Sequence, residues 1–488
     1  MLKLRPYQNA GVDELRAALN EHSAPLYVCP TGGGKTVVFT YIAHGASLRG
    51  RRVFILAHRE ELIEQTSKAL LKFDVHHALI VADCKPNPTA MVQVCSIQTL
   101  VRRLHKWPAQ YGPDIFIVDE AHHATSGSYR EVLRHFPNAK IIGVTATPVR
   151  TDGQGLGIAS GGIFDTMIMG PQVTELIRQN YLVAPAVYAP GATLDFNNLR
   201  KKDLVGGDIS KKVAAEKVDK RSVTGDAVEH YARLAHGSPC AVFCISIAHA
   251  KHVAEQFGAA GYRAFHISGK TDKSERKRIL KGLSIKDASG RYLTEIVCSC
   301  DVISEGTDIP TLGCGIMLRP TLSLALFIQQ AGRIMRPCEG KERGVLLDHV
   351  GNVARHGMPD EPREWSLDGA PPKRGTLGAA PATSYDLCPK CFAYALPTHT
   401  CEQCGYVWPI DAAEVIETAK PGELIEIGLT EREQLAAAKR AEIAAADTLD
   451  KLERLARRKG WPPTWAKHTY NQRVAMHTRP IHFKEYAI

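Results

Sequence analysis

The sequence predicts an α/β protein with two parallel-sheet domains in tandem, followed by a small cysteine module and a helical tail. Short apolar, β-rich runs alternate with helix-length segments over residues 26–145, and the same rhythm returns between residues 240 and 350. Runs that are apolar on both faces and separated by helices are typical of parallel strands covered by helices on both sides. Two Cys-x-x-Cys pairs within residues 385–410 predict the module.

The first domain is expected over residues 1–180, where the candidate strands read LYVC, RVFILA, MVQVCS, IFIVDE and IIGVTA. Residues 181–222 are expected to be a linker that borders the second domain, because 190–222 is polar and rich in lysine. The second domain is expected over residues 223–355, with candidate strands CAVFCIS, RAFHIS, EIVCSC, CGIMLR and GVLLDHV.

Composition changes after residue 355. Residues 356–384 are rich in Pro, Gly and Ala without a period, which predicts a flexible tether before the cysteine module. Residues 411–488 combine alanine-rich helical composition with interleaved charges and predict a basic helical region.

Length and composition place few limits on function. A chain of 488 residues suggests about three domains of ~150 residues each, and no apolar run approaches the ~20 residues that a membrane span needs. We therefore expect a cytoplasmic protein without a membrane partner. The net charge of +10 fits a polyanionic partner without naming it. Most of the 13 cysteines lie in apolar runs and are expected to be buried thiols.

The segment Cys29–Thr36, CPTGGGKT, resembles a phosphate-binding loop between a strand and a helix. Its glycines let successive backbone N–H groups point inward, and the following helix adds the positive end of its dipole. Lys35 is expected to reach the β- and γ-phosphates and Thr36 to ligate Mg²⁺. The usual pattern has glycine where Cys29 stands, and a small residue should still fit. A glycine turn followed by a chance Lys-Thr is the alternative.

A second apolar run, IFIVDEAHH, ends in two carboxylates. If its strand lies near the strand before the loop, Asp119 and Glu120 stand at the sheet edge where α/β proteins bind ligands. Asp119 would hold Mg²⁺, and Glu120 would polarise the water that attacks the γ-phosphate. Either carboxylate alone is weak evidence, and the pairing with the glycine loop carries the interpretation.

Eight segments, in order, resemble the motifs of superfamily-2 helicases and translocases of the DEAH type. The segments read LRPYQ, CPTGGGKT, LAHREELIEQ, SIQTL, DEAHH, TATP, SEGTDIP and QQAGRIMRP, and they cover about residues 2–350. The resemblance implies two RecA-like domains with ATP bound between them. The appended cysteine module is similar in arrangement to bacterial RadD-like and phage-borne helicases.

The resemblance also implies roles for single residues. Gln8 would read adenine beside Arg5, Gln329 would position the phosphate or water, and Arg333 and Arg336 would enter the cleft as arginine fingers. The remaining residues implied in nucleotide binding are Thr31, Gly32, Gly33, Gly34, Gly306 and Asp308. Those implied in coupling or nucleic-acid contact are His58, Arg59, Thr99, His122, Thr145 and Thr147. A helix cap and its solvated neighbour remain the alternative for His58 and Arg59.

The cysteine module pairs Cys388 and Cys391 with Cys401 and Cys404, with nine residues between the pairs. Four thiolates at this spacing suit a closed tetrahedral Zn²⁺ site better than disulfides. The aromatic residues around the cysteines could stack on single strands or simply cover a minute core.

The favoured interpretation is an ATP-dependent DNA helicase or translocase in repair, recombination or replication, which tracks the polymer backbone without reading bases. A double-strand translocase that does not separate strands, an RNA helicase and a clamp without turnover are the alternatives. A protein partner would bind through the zinc ribbon or the tail. The sequence does not determine polarity, unwinding ability, origin, oligomeric state or the identity of such partners.

Overall fold

The structure is a computed structural model that describes residues 3–82, 84–150, 154–190, 203–205, 208–210, 221–300, 302–303, 309–369, 386–387, 394–395, 424–426, 446, 448–459, 466–467 and 469–470. No helix within these ranges is long and apolar enough to cross a membrane.

A parallel sheet of seven strands forms the first domain, in the order β3-β4-β2-β5-β6-β1-β7. Every candidate strand from the sequence lies in it. The strands are β1 Pro25–Val28, β2 Val53–Ala57, β3 His77–Ile80, β4 Val92–Ser96, β5 Ile115–Asp119, β6 Lys140–Thr145 and β7 Thr166–Met169. The helices are α1 Pro6–Glu21, α2 Lys35–Leu48, α3 Glu60–Lys72, α4 Ile97–Arg103, α5 Gly127–His135 and α6 Val173–Arg178.

Each face of this sheet is covered by its own hydrophobic core. One core contains Val38 and Phe39 of α2 with Leu62 of α3, and the other contains Leu100 of α4 with Val132 of α5. The five residues of β2 are all buried, which explains why its sequence shows no polar alternation.

The second domain is built on another seven-stranded sheet, ordered β12-β13-β11-β14-β15-β8-β18 and parallel except for β18. Its strands are β8 Ala184–Pro190, β11 Cys240–Phe243, β12 Ala264–Ile267, β13 Ile296–Ser299, β14 Cys314–Met317, β15 Arg343–Asp348 and β18 Leu424–Glu426, and a small hairpin pairs β9 Leu204–Val205 with β10 Asp208–Ile209. Its helices are α7 Arg221–Leu234, α8 Ile247–Ala259, α9 Lys273–Gly282, α10 Leu324–Ile334 and α11 Asn352–His356. The prediction of two parallel-sheet α/β domains is confirmed.

Part of the expected linker packs within the second domain. β8 pairs with β15 in its sheet. Asp208 is buried and accepts hydrogen bonds from Thr321 Oγ1 at 2.8 Å and from Leu322 N at 2.6 Å. A carboxylate buried with these donors ties the 208–210 segment to the loop before α10.

The structure differs from the expected flexible tether over residues 357–369, which we call the strap. Trp365 of the strap packs against core residues of both domains. Gly157 N in the first domain donates to Leu367 O at 2.8 Å, and Gln172 and Arg363 exchange two hydrogen bonds. Composition predicted a chain without periodic structure, but Trp365 still packs this half-buried segment against both domains. Residues 370–384 lie outside the described residues.

Parts of the region after residue 384 lie within the described residues, and other parts lie outside them. Cys388, Cys391, Cys401 and Cys404 of the expected zinc ribbon lie outside the described residues, as do Gly306 and Asp308. Within the expected helical region, α12 (Leu449–Lys459) buries Leu452 and Leu455, whereas β18 is a strand that joins the edge of the second sheet. Short pairs also form between β16 (Asp386–Leu387) and β17 (Tyr394–Ala395).

His349, which follows β15, carries a prediction about pH. The residue is half-buried, but its Nε2 is shielded from water, and burial together with nearby His230 lowers the pKa of His349 to about 3. The unfolded side chain titrates near pH 6.5. Between these two values the unfolded chain binds a proton that the folded chain does not, so stability falls as pH falls below about 6.5. We expect a loss of about 1.4 kcal/mol between pH 8 and pH 5.5.

His349→Phe should remove this contribution. The difference between the thermal unfolding midpoints at pH 8 and pH 5.5 should therefore be smaller in the variant than in the wild type. His135→Phe replaces an exposed histidine of α5 and is the matched control. An equal pH difference in the wild type and in His349→Phe would contradict the prediction.

Candidate active site

The loop between β1 and α2 folds as an anion cradle. Gly32 and Gly34 each have a φ of +83°, in the left-handed region where a β-carbon is strained. Gly34 directly precedes α2, so the free amides of the first helical turn point toward the loop. Lys35 begins α2 and donates from Nζ to Cys29 O at 3.4 Å. The ammonium group is thereby held over the loop, where it can meet an anion.

Cys29 occupies the position where the usual loop pattern has glycine. Its side chain is fully buried, and burial raises the pKa of the thiol to about 11, so it is a small apolar group rather than a nucleophile. Its Sγ lies 2.6 Å from where a β-carbon on Gly33 would stand. Cys29 N donates to Thr145 O at 2.9 Å, which ties the loop to the end of β6.

The N-terminal segment contacts the cradle from the side. Tyr7 Oη donates to Gly33 O at 2.9 Å and accepts from Arg5 Nη1 at 3.1 Å. The Arg5 guanidinium lies 4.3 Å from the centre of the Tyr181 ring. Gln8 is buried and accepts from Arg5 N at 3.0 Å through Oε1. Arg5 and Gln8 thus lie beside the loop, and Tyr7 is a supporting residue that the motif resemblance did not single out.

Asp119 and Glu120 stand at the end of β5, one strand away from β1 across β6. Asp119 is buried and accepts from Glu120 N at 3.0 Å. Glu120 has a φ of +49°, a conformation that residues other than glycine adopt rarely and mainly at functional sites. This backbone turn separates the two carboxylates, with Asp119 inside the fold and Glu120 at the cleft.

His122 and two threonines connect Glu120 with the end of β6. His122 Nδ1 lies 3.5 Å from Glu120 Oε2 and 3.3 Å from Thr145 Oγ1. Thr145 Oγ1 donates to Thr147 O at 3.0 Å, and both threonines are buried. The three predicted coupling residues therefore form one continuous hydrogen-bonded group behind the carboxylate.

α10 of the second domain closes the site from the opposite side. Gln329 Nε2 lies 3.5 Å from Glu120 Oε2. Arg333, one turn further along α10, is also buried. Between them, Gly332 faces the loop so closely that a β-carbon on it would lie 2.6 Å from Thr31 Cβ. Gly332 lies in the QQAGRIMRP segment, but the motif predicts no role for it, because only the folded chain shows this contact.

Arg336 follows α10 and lies over the cradle, where its Cγ is 3.6 Å from the position of a β-carbon on Gly32. Lys341 holds the backbone at this point: its Nζ donates to Arg336 O and Leu312 O, each at 2.7 Å. Burial lowers the pKa of Lys341 to about 8. Lys341 has no role in the motifs. It acts through backbone carbonyl oxygens, which every sequence supplies, so the sequence gives no signal for it.

The residues predicted to contact nucleic acid lie at the other half of the first sheet. His58 and Arg59 follow β2, and Thr99 lies half-buried on α4, which follows β4. Gln98 Nε2 donates to His58 O at 3.2 Å and joins the two segments. The His58 ring lies 4.2 Å from that of His123, which lies 4.2 Å from that of His122. A row of three imidazole rings thus runs from the end of β2 to Glu120.

Two ion pairs cross between the domains next to Arg59. Lys273 Nζ lies 2.6 Å from Glu60 Oε1, and Arg276 Nη1 lies 2.8 Å from Glu61 Oε1. The acids begin α3 and the bases lie on α9. The domains therefore meet at the start of α3 as well as at the cradle.

The cradle fits a magnesium–nucleotide complex. Its positive-φ glycines and helix start suit phosphate, and Thr36 lies in the first turn of α2, near the strand end that carries Asp119. A hydroxyl and a carboxylate are oxygen ligands of the type that Mg²⁺ prefers. Among the described residues, no cluster of three or more His, Cys, Asp or Glu side chains could hold a metal by itself.

Comparison with known proteins agrees with this geometry. Residues 1–150 match the model of the type III restriction enzyme res subunit, and residues 224–338 match the helicase conserved C-terminal domain. A 51.5 kDa protein of a Lactococcus phage (isolate 7-9) is 31% identical over 401 residues, covering 81% of each chain. The chain belongs to the superfamily-2 helicases and translocases. The predicted membership of superfamily 2 is confirmed.

Other relatives of this superfamily-2 enzyme extend the comparison. Schizosaccharomyces pombe irc3, whose name describes a mitochondrial ATP-dependent helicase, is 31% identical over 380 residues, which are 74% of this chain and 59% of irc3. The solved type ISP restriction-modification enzyme LlaBIII bound to DNA has a TM-score of 0.52 at 19% identity, over 71% of this chain and 28% of LlaBIII. This superfamily-2 enzyme thus hydrolyses ATP and depends on nucleic acid. Some of its relatives are longer, since the chain covers 59% of irc3.

Gly332→Ala tests the contact between α10 and the cradle of this superfamily-2 enzyme. The added methyl group would meet the stiff Thr31 side chain and push the two domains apart, and small displacements of catalytic groups cost up to about 10²-fold in rate. We expect ATP turnover to fall by about this factor in steady-state assays. Gly258→Ala adds a methyl group to α8 where no atom lies within 4 Å and is the matched control. Full turnover by Gly332→Ala would show that the contact is dispensable.

Proposed function

We propose that this enzyme is an ATP-dependent DNA helicase or translocase that acts in repair, recombination or replication. One observation carries the proposal: Gln329 of the second domain lies 3.5 Å from Glu120 of the first, beside the glycine cradle. A site completed by two domains couples the state of the nucleotide to the distance between them. Such coupling is what a motor that moves along a polymer requires.

Each residue at the cleft has a proposed role. Lys35 and the amides of residues 31–34 hold the phosphates, and Gln8 with Arg5 reads the adenine. Thr36 and Asp119 hold Mg²⁺, which when bound neutralises charge on the phosphates. Glu120 takes a proton from the attacking water, which Gln329 orients.

Arg333 and Arg336 stabilise the charge that develops on the transferred phosphoryl group. Arginines in this role contribute about 10³–10⁵ in rate in other phosphoryl-transfer enzymes. Both come from the second domain, so only the closed cleft presents them to the nucleotide. Gly306 and Asp308, which lie outside the described residues, are proposed to sense the nucleotide at the same interface.

The imidazole row gives a proposed route for coupling. Polymer phosphates held by His58, Arg59 and Thr99 would shift the His58 ring, which contacts His123 and through it His122. His122 is within 3.5 Å of the Glu120 carboxylate. Binding of the polymer can therefore adjust the group that activates water without any large movement within the first domain.

DNA is the proposed polymer. The matched res-subunit model and the DNA-bound LlaBIII both belong to restriction systems, which act on DNA. The same two likenesses favour a second candidate, a translocase that moves along duplex DNA without separating the strands. Contacts to the backbone alone discriminate little between DNA and RNA. A finding that the enzyme acts on RNA would therefore overturn this choice. We propose the cytoplasm as its location, although irc3 is named as mitochondrial.

The test measures ATP turnover with single-stranded DNA, duplex DNA, forked DNA and RNA, each titrated separately. Stimulation by single-stranded or forked DNA, with displacement of a labelled strand, supports the helicase. Stimulation by duplex DNA without displacement supports the translocase. Stimulation by RNA alone would overturn DNA as the polymer. An ATP turnover rate that stays the same with every polymer would overturn the motor function.

Glu120→Gln separates chemistry from binding. The amide cannot take the proton from water, so turnover should fall by about 10²–10⁴-fold while ATP still binds. Lys35→Ala should lose turnover because ATP affinity falls, and Arg336→Ala should lose turnover with affinity largely kept. Fluorescent nucleotide binding and phosphate release measure the two quantities. Glu131→Gln neutralises an exposed acid of α5 and is the control. Near wild-type turnover by Glu120→Gln would reject the assigned base.

Cys388, Cys391, Cys401 and Cys404 are proposed to hold one structural Zn²⁺. Two Cys-x-x-Cys pairs supply four thiolates, the ligand set of closed zinc ribbons. The module is proposed to choose the DNA structure or a protein partner, because the two larger domains already supply every group proposed for ATP hydrolysis. The arrangement of core and module is the basis for proposing a relationship to the RadD-like and phage-borne helicases.

Removal of one ligand tests the zinc proposal. Metal binding supplies most of the folding energy of such a module, so Cys401→Ser should release one Zn²⁺ per chain while polymer-independent ATP turnover persists. Affinity for single-stranded or branched DNA, or for a protein partner, should fall. Elemental analysis of purified protein measures the metal, and Cys84→Ser, which replaces an exposed thiol of the first domain, is the control for metal content alone. Wild-type protein purified without zinc would refute the site.

A further inference from the structure

A basic groove lies at the far end of the first sheet, outside every motif. It has a volume of about 470 Å³ and runs between the segment after β3 and the end of α4. We call it the Cys84 groove, after the exposed cysteine on its wall. The lining residues that matter here are Cys84, Lys85, Arg102, Arg103, Lys106 and Trp107.

Among the described residues, the charged side chains that line the Cys84 groove are all cations. Lys85, Arg102 and Lys106 are exposed, and no described acid forms an ion pair with any of them. Other cations of this domain do have such partners: Arg51 lies 3.1 Å from Asp114. In the sequence, the stretch 82–107 contains one acid, Asp83, which lies outside the described residues. Four cations around one groove favour an anionic ligand.

Two of the lining residues hold the walls of the groove in place. Arg103 donates from Nη2 to Ala82 O at 3.0 Å and from Nη1 to Cys84 O at 3.2 Å, so it ties α4 to the segment after β3. Trp107 is buried, packs edge-on against Phe54, and donates from Nε1 to a backbone carbonyl at 3.0 Å. The exposed cations therefore project from a rigid support, which reduces the entropy that binding would cost.

Strand order places the groove in line with the predicted nucleic-acid face. At the carboxyl edge of the sheet, β1, β6 and β5 carry the nucleotide site, and β2, β4 and β3 follow as neighbours. His58 and Arg59 follow β2, α4 follows β4, and the Cys84 groove begins just after β3. A polymer that crosses the β2 and β4 ends and continues outward meets the groove next.

We propose that the Cys84 groove binds the sugar-phosphate backbone of the nucleic acid and extends its contact beyond the motif residues. The inference rests on the proposed function. Charges spread over two segments in an open groove suit consecutive phosphates of a strand better than one small anion, which needs convergent donors. The groove has no base-reading element, so its contribution is independent of base sequence.

Lys85→Ala/Arg102→Ala/Lys106→Ala tests the groove, while Arg103 and Trp107 are kept because they support its walls. For single strands each lost phosphate contact reduces the slope of log affinity against log salt by about 0.7, so the slope should become shallower by about 2, with affinity about tenfold weaker at moderate salt. Fluorescence anisotropy with a labelled single-stranded oligonucleotide measures both quantities. An unchanged slope and unchanged affinity would overturn the proposal.

Arg49→Ala/Arg51→Ala/Lys72→Ala is the matched control. It removes three exposed cations from the same domain at the opposite edge of the sheet, where α2 and α3 end and β2 begins. Both triple variants lose the same net charge, so a general charge effect would weaken binding equally in the two. Equal weakening would therefore also overturn the groove as a specific contact.

Native Cys84 gives a second measurement that needs no variant of the groove. Among the described cysteines it is the exposed one, so a maleimide should label it, and mass spectrometry of its peptide should show slower labelling when the oligonucleotide is bound. Inorganic tripolyphosphate at the same phosphate concentration should give no protection. Protection by both would mean a small-anion site, and protection by neither would mean that the polymer does not reach the groove. Either result overturns the proposal.

The two proposals fail in different ways. If no polymer stimulates ATP turnover but the oligonucleotide still protects Cys84 and binds with the expected salt slope, the motor function fails and the groove remains. If a polymer stimulates turnover but Cys84 stays unprotected, the groove fails and the motor remains.

Discussion

The approach of α10 to the phosphate-binding loop is the constraint on which the rest of the structure depends. Gly332 lies against Thr31, and Gln329 lies 3.5 Å from Glu120, so the proposed catalytic group is complete only while the domains are together. Neither sheet alone brings a carboxylate, a lysine and arginines to one place. Everything that changes the distance between the domains therefore acts on catalysis.

Three features outside the cleft act on that distance. The Lys273–Glu60 and Arg276–Glu61 ion pairs join α9 to α3, and the strap carries the chain from the second domain back onto the first through Trp365. Surface ion pairs contribute little stability, typically below about 1 kcal/mol, and are weakened by salt. Apolar contacts removed from water contribute more and are not screened by salt as charges are. The strap is thus the steadier of these connections, and the ion pairs are the ones that a bound polyanion can exchange.

The first sheet divides its carboxyl edge between two tasks. The ends of β1, β6 and β5 carry the proposed nucleotide site, and the ends of β2, β4 and β3 lie where the polymer is proposed to pass. The row of His58, His123 and His122 joins the halves at ring separations of 4.2 Å. In the proposed coupling, this short path through neighbouring rings would let two ligands on one sheet influence each other without a change of fold.

The sequence by itself determined the two α/β domains and the groups that are proposed to meet the phosphates. Strand and helix periods act through residues close in the chain, and the CPTGGGKT loop needs glycines whose conformations are local. Only the tertiary structure decided which distant groups meet: Gly332 against Thr31, Tyr7 under Gly33, Lys341 behind Arg336, and the strap across both domains. Composition predicted a flexible tether at the strap because Pro and Gly indicate the lack of a secondary-structure period. Whether such a segment packs depends instead on where Trp365 and Leu367 lie in the folded chain. Contacts across hundreds of residues follow from the packing of whole sheets, which no local pattern encodes.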